Sequence, residues 1–224
     1  MTGREKGKRI GLAVLIAALD LLLGPGALYA MKQTGVDVCL VSHAGEMPGQ
    51  FLAQSLLLSV LPLSVFLLYA FKLRMGFADA MYLRVRGRLA GICVGILALM
   101  LTIMAALAVR RTGDPLQVVL SLLYYLVFVA LAEEFVTRGV LPYVLRGMDW
   151  KLQYLLPSFL FAMLHILAYN DFRPLDLEYL WHFARYHLLG LMASGCCLYI
   201  FKVRTGTLWV PILLHTMVDF MAVR

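Results

Sequence analysis

Long apolar stretches separated by short polar connections run along the whole chain. A transmembrane α-helix needs about 20 apolar residues to cross the hydrocarbon core of a bilayer. Stretches of that length begin near Ile10, Phe51, Leu89, Leu116, Tyr154, His182 and Thr207. The pattern predicts an all-α fold, a polytopic membrane helical bundle of about seven transmembrane helices. Because no repeat or low-complexity tract divides the chain, it also predicts a single integral membrane domain over residues 1–224.

Composition supports the same class of protein. The chain is 62% hydrophobic and only 15% charged, and its mean hydropathy is +0.84. A typical soluble domain is about 45–50% apolar and about 25% charged. These values exclude an ordinary soluble domain of this length.

The net charge of +7 comes mainly from basic residues in alternate connections between the predicted spans. This placement is typical of the positive-inside rule rather than of nucleic-acid binding, so we expect no nucleic-acid partner. It predicts an N-terminus inside and a C-terminus outside. The short chain, without polar extensions, favours a prokaryotic cytoplasmic membrane. The basic residues on the predicted inner side are Arg4, Lys6, Lys8, Arg9, Lys72, Arg74, Arg84, Arg86, Arg88, Arg138, Arg146, Lys151, Lys202 and Arg204.

The first apolar stretch has a second interpretation as a secretory signal peptide, because Lys8 and Arg9 precede a hydrophobic run. Asp20 and the predicted break at Gly24-Pro25-Gly26 interrupt that run, and residues 28–30 make a poor cleavage site. We therefore expect the first span to be retained.

Two adjacent glutamates, Glu133 and Glu134, close the fourth apolar stretch. A charge at the bilayer centre costs about 2.5–3.5 kcal/mol on insertion scales, so charged groups there usually have a function. Glu134 and Arg138 are four residues apart and share a helix face, which predicts an ion pair, whereas Glu133 points about 100° away and stays free. A purely structural arrangement at a helix end, with Arg138 and Arg146 as partners, remains open.

Two further motifs place ionisable groups inside predicted spans. Phe161 and His165 lie one turn apart in the fifth stretch, and His215 and Asp219 lie one turn apart in the last. Each alone fits a packing role. Under the predicted topology, however, Glu133, His165 and His215 all lie roughly 8–20 Å from the inner ends of their helices, at 1.5 Å per residue. Compatible depths on three helices predict one shared site.

Together these residues resemble the CAAX-protease and bacteriocin-processing (CPBP) family of intramembrane endopeptidases, which includes the type II CAAX prenyl endopeptidases. The family patterns E-E-x-x-x-R, F-x-x-x-H and H-x-x-x-N/D match Glu133-Glu134-Phe-Val-Thr-Arg138, Phe161-Ala-Met-Leu-His165 and His215-Thr-Met-Val-Asp219. The run from Arg204 to Pro211 is similar to the family's R-T-G-S-L-W-x-P connection. The resemblance covers residues 116–222, which would form the catalytic core.

The resemblance implies a catalytic set of Glu133, His165, His215 and Asp219. Glu133 would be the general base, holding a water with His165, while His215 and Asp219 would face the developing oxyanion. Asp219 is assigned to orienting and charging His215, since an ionised carboxylate cannot donate a hydrogen bond. Glu134, Arg138 and Phe161 would support the site. We expect no cofactor or metal; if zinc were bound, its ligands would be Glu133, His165 and His215.

The leading hypothesis for function is therefore an intramembrane protease that cleaves a membrane-associated peptide or protein tail. Two alternatives stay open: a non-proteolytic membrane binding or immunity protein of the same fold, and a proton or ion transporter. A transporter would also use buried acids and histidines, but we see no pair of interrupted helices in corresponding halves of the chain.

Overall fold

The computed structural model describes residues 2–36, 38–56, 59, 82–170 and 174–221, and all regular structure within them is helical. This confirms the all-α prediction for the described part of the chain. Residues 48–56 are helical, and short 3₁₀ turns occupy Val41–His43 and Ala168–Asn170. The main helices are α1 Gly3–Gln33, α2 Arg88–Thr112, α3 Pro115–Val144, α4 Trp150–Leu164, α5 Leu177–Tyr186, α6 Leu188–Thr205 and α7 Trp209–Phe220.

Four of the described helices, α1, α2, α3 and α6, are long and apolar enough to cross a membrane. The predicted span from Phe51 starts as helix, but most of it lies outside the described residues. The stretch near Tyr154 forms α4, whose 15 residues reach about 22 Å, less than the roughly 30 Å of a hydrocarbon core. The total of about seven spans therefore stays a prediction.

The predicted span near His182 is divided in the structure. Its first part is α5, which ends at Tyr186, and α6 begins at Leu188 after a break at His187. The helix α5 is also more polar than α6, because its ten residues include Glu178 and Arg185. The predicted start of this span near His182 was wrong, because the apolar helix that is long enough to cross a bilayer is α6, which begins at Leu188.

Local sequence signals explain where several helices begin and end. The Asp114 carboxylate accepts a hydrogen bond from the Gln117 backbone N–H at 2.9 Å, and Pro115 occupies the first turn of α3, where its missing N–H costs nothing. Gly113 and Gly206 follow α2 and α6 with φ of 70° and 69°. Glycine adopts this left-handed conformation without a Cβ clash, so both residues end their helices.

The Gly24-Pro25-Gly26 sequence does not break α1, contrary to the prediction. The helix passes through it as a widened π-helical turn, Leu22–Gly26. Proline normally crowds the carbonyl one turn earlier, and widening the turn relieves that contact. A Cβ at Gly26 would lie 2.8 Å from the Leu21 carbonyl oxygen. The glycine is therefore what allows the backbone to approach so closely.

Two π-helical segments also interrupt α3, Tyr124–Leu131 and Phe135–Val140, with a single α-helical turn, Ala132–Glu134, between them. Such bulges occur frequently at functional sites. The two adjacent glutamates both lie in this short turn. The hydroxyl of Thr137 donates a hydrogen bond of 2.6 Å to the Glu133 carbonyl, which satisfies a backbone acceptor in the irregular region.

Within the bundle, α3 packs against both α4 and α7. Ala13, Ile16 and Ala17 on one face of α1 are buried in the same core as Phe135 of α3 and Leu160 of α4. A second cluster joins Leu101 and Ala108 of α2 to Leu213 and Phe220 of α7. On the other side, α4 and α6 approach closely at Gly195, where a Cβ would lie 3.0 Å from the Ser158 Cβ. The helices α1, α2 and α6 thus pack around the three helices that carry the candidate residues.

Candidate active site

The structure brings the free glutamate and both candidate histidines together. Glu133 lies in α3, His165 directly follows α4, and His215 lies in α7. The Oε2 atom of Glu133 is 3.8 Å from Nε2 of His165 and 3.9 Å from Nε2 of His215. The side chains are 23%, 15% and 6% exposed respectively. Three helices distant in sequence thus direct polar atoms toward one partly enclosed point.

His165 has a defined orientation. Its Nδ1 lies 2.9 Å from the Phe161 carbonyl oxygen. Because a carbonyl only accepts, Nδ1–H must be the donor, which fixes the proton of the neutral ring on Nδ1. The other nitrogen, Nε2, then offers its lone pair toward Glu133. The ring of Phe161 packs edge-on against both His165 and His215, with centroid distances of 4.6 and 5.7 Å.

His215 lies among three carboxylates. Its Nδ1 is 3.0 Å from Oε1 of Glu134, and its Nε2 is 3.4 Å from Oδ2 of Asp219 and 3.9 Å from Glu133. The predicted orienting residue was Asp219, and the shorter contact with Glu134 was not predicted. A contact between residues 81 positions apart leaves no trace in helical spacing, so no signal in the single sequence reveals it.

Glu134 and Arg138 form the ion pair that their spacing predicts, with an Nη1–Oε1 distance of 2.9 Å. Both side chains are buried from solvent. The guanidinium also donates to Thr137 Oγ1 at 2.5 Å and to the Gly195 carbonyl at 3.4 Å, and it lies 4.0 Å from the centroid of the Phe161 ring. Arg138 therefore links α3 to α4 and α6, and Glu134 links it onward to His215.

A row of aromatic rings leads from the site toward the surface. Tyr169 lies 6.1 Å from His165 and 4.6 Å from His187, measured between ring centroids, and His187 lies 5.6 Å from His182. Tyr169 is 45% exposed. Tyr169 was not predicted as a site residue, although it lies only four residues after His165. The row therefore connects His165 to residues near the surface of the protein.

The carboxylate and imidazole atoms of this cluster are of types that can hold either a water or a metal ion. Oε2 of Glu133 is buried and has no hydrogen-bond partner among the described residues. The ligand atoms of Glu133, His165 and His215 all lie within 4.8 Å of one another, and a Glu–His–His set is one that catalytic zinc uses. Tetrahedral zinc ligands at about 2.1 Å would lie roughly 3.4 Å apart. The donors lie 3.8 Å, 3.9 Å and no more than 4.8 Å from one another, so they would have to close by roughly 0.4 to 1.4 Å around the ion.

Apolar helices around a partly enclosed glutamate–histidine cluster define a membrane-embedded helical protein. The family model for type II CAAX prenyl endopeptidase Rce1-like matches residues 115–221. This part of the chain belongs to that family, which confirms the resemblance carried by the three motifs. The chain is therefore an integral membrane protein with a domain of a protease family. No curated protein and no solved structure matches the chain.

Proposed function

We propose that this protein is an intramembrane endopeptidase that hydrolyses a peptide bond in a membrane-associated peptide or protein tail, using a water activated by Glu133. The observation that carries the proposal is the position of Oε2 of Glu133, 3.8 Å from Nε2 of His165. At this distance the two atoms are too far apart for a direct hydrogen bond and close enough to share one water.

In the proposed mechanism, the water donates one hydrogen bond to Glu133 and one to the lone pair of His165 Nε2. Glu133 takes a proton as the water oxygen attacks the scissile carbonyl, and it then gives that proton to the departing amide nitrogen. A bond forms between the water oxygen and the carbonyl carbon, and the C–N bond breaks. No covalent enzyme intermediate is required.

His215 is proposed to stabilise the oxyanion. Its Nδ1–H donates to Glu134, so the Nε2–H of the imidazolium is the proton available to the substrate oxygen. Asp219 lies 3.4 Å from this nitrogen and Glu134 lies on the other side of the ring. The two carboxylates favour the charged ring, which is the form that donates from both nitrogens. Asp219 and Glu134 therefore act through His215.

We also propose an N-terminus inside, a C-terminus outside and a prokaryotic cytoplasmic membrane. The ends of α3 and α6 and the starts of α4 and α7 lie at one end of the bundle, where Pro142, Gln153 and Gly206 line one pocket. Four basic residues line the same pocket, and the Arg9 side chain donates to the Arg146 carbonyl at 2.7 Å. A basic end of this kind supports a cytoplasmic position under the positive-inside rule.

The proposal is tested by comparing new protein termini, by mass spectrometry, in membranes that contain wild type, Glu133→Ala or Glu178→Ala. Glu178 is an exposed glutamate on α5 and serves as the matched control. We expect new protein termini in membranes that contain wild type or Glu178→Ala. These termini should be absent from membranes that contain Glu133→Ala. Identical termini in all three samples would favour a binding protein or a transporter.

A chelator arm of the same experiment tests the water mechanism against zinc. We expect cleavage by the purified protein to survive treatment with a strong zinc chelator, since Glu133 and His165 alone can hold the water. A loss of activity that added zinc restores would show that Glu133, His165 and His215 act as ligands instead.

Asp219→Asn is expected to move the alkaline limb of the pH–rate profile to lower pH by about one unit, equivalent to about 1.4 kcal/mol. The substitution removes one of the negative charges beside His215, so the imidazolium loses its proton, and with it the activity, at a lower pH. The measurement is kcat/KM against pH for the purified protein. A profile and activity equal to wild type would instead assign Asp219 to direct donation, which an amide performs well, or to no role.

A further inference from the structure

A basic pocket lies at one end of the bundle, away from the glutamate–histidine cluster. Its volume is about 600 Å³, within the range of small-molecule sites. Four cationic side chains and three tyrosines line it, and none of its described lining residues is acidic. The residues that carry the argument are Tyr82, Arg84, Arg86, Arg146, Tyr199 and Lys202.

Aromatic rings rather than carboxylates hold two of these cations. The Nζ atom of Lys202 lies 3.9 Å from the centroid of the Tyr82 ring and 5.8 Å from that of Tyr199. The Arg146 guanidinium lies 4.7 Å from the Tyr143 ring. Within the described residues, no Asp or Glu forms an ion pair with Lys202 or Arg146. Cation–π contacts position a charge without cancelling it, so Lys202 and Arg146 can still attract an anion.

The segment that carries Arg84 and Arg86 is fixed in place. The Tyr82 carbonyl accepts hydrogen bonds from the Leu208 N–H at 2.9 Å and the Thr207 hydroxyl at 3.2 Å. The indole N–H of Trp209 donates to the Leu83 carbonyl at 3.0 Å. These bonds attach the segment to the start of α7. The backbone that carries Arg84 and Arg86 is thus held beside the cavity before any ligand arrives, which lowers the entropic cost of binding.

The depth of the pocket indicates the kind of anion. Lys202 lies in the last turn of the membrane-spanning helix α6, and Trp209 and the lining tyrosines are residues typical of the level of the lipid headgroups. Basic pockets between transmembrane helices at this level bind the phosphates of anionic lipids. We propose that this pocket binds a phosphate group, supplied by the headgroup of an anionic phospholipid in the adjoining leaflet.

The binding test uses the full chain in detergent, with phosphatidylglycerol and phosphatidylcholine as probes and lipid retention in native mass spectrometry as the readout. We expect wild type to retain phosphatidylglycerol in preference to phosphatidylcholine. Lys202→Gln should weaken retention of phosphatidylglycerol about fivefold, the effect of one basic residue near an anionic surface. Arg204→Gln is the matched control, because Arg204 is exposed two residues away and does not line the pocket.

Equal retention of the two lipids by wild type, or an equal loss in Lys202→Gln and Arg204→Gln, would overturn the proposal. If Lys202→Gln does not fold, Arg146→Gln replaces it, with the same expected loss. A competition experiment with inorganic phosphate distinguishes a lipid headgroup from a free phosphate compound as the source of the bound phosphate group. We expect inorganic phosphate at the same concentration to leave bound phosphatidylglycerol in place. Displacement of the lipid would assign the pocket to a free phosphate compound. This site does not depend on the proposed protease function.

Discussion

Glu133→Gln is expected to lower kcat/KM for peptide cleavage by a factor of about 10³ or more, a loss of about 4 kcal/mol or more of transition-state stabilisation. The amide keeps the size of the side chain but cannot take a proton from water. Protein yield and melting temperature should stay near those of wild type, because no described residue donates a hydrogen bond to Oε2 of Glu133. The measurement is cleavage of a membrane-associated peptide by purified protein in detergent.

Glu178→Gln is the control for that comparison, since it makes the same chemical change at an exposed position on α5. It should retain full activity. If Glu133→Gln kept activity within tenfold of the control, Glu133 would not be the general base, and the water would have to be activated by another group.

Helical spacing in the sequence was sufficient to predict contacts within each motif. Glu134 and Arg138 are paired at 2.9 Å, and His215 and Asp219 lie 3.4 Å apart, as two pairs four residues apart on a helix should. The meeting of the three motifs followed from their similar depths in the predicted spans. Their catalytic roles rested on the family resemblance, and those roles remain proposals.

The sequence predicted that the three motifs meet, but it did not predict which atoms of neighbouring helices pair. The bond between Glu134 and His215 depends on how α3 and α7 pack, and α3 is distorted by π-helical segments on both sides of the glutamates. Prediction of contacts from residue spacing assumes regular α-helical turns, so it does not predict such bulges. The same limit explains α1, where a break was predicted at Gly24-Pro25-Gly26 and the helix instead continues through a widened turn.

Helix boundaries were predicted less well than helix existence for a related reason. Hydropathy identifies apolar stretches of sufficient length, but it does not show where a chain turns within one. His187 separates α5 from α6 inside a single predicted span. α7 contains only 12 residues, although its sequence is strongly apolar. Caps and tertiary packing decide these ends.

Glu134→Gln is expected to destabilise the folded protein by about 3–5 kcal/mol, the usual effect of removing one partner of a buried ion pair. The Arg138 side chain is only 2% exposed, so its charge would remain buried without a counter-charge. Arg138→Gln should cost less than Glu134→Gln, because Glu134 would still be hydrogen-bonded to His215 at 3.0 Å. Glutamine at either position limits the change in volume, so the loss of charge dominates.

The ion pair itself is measured by a double-mutant cycle on thermal stability in detergent, with Glu134→Gln, Arg138→Gln and the combined variant. We expect the combined variant to be more stable than the sum of the single effects predicts, by about 0.5–3 kcal/mol, because it leaves neither charge unpaired. Arg110→Gln, at an exposed position at the end of α2, should change stability by no more than about 0.5 kcal/mol. Additive single effects would mean that Glu134 and Arg138 act independently of each other.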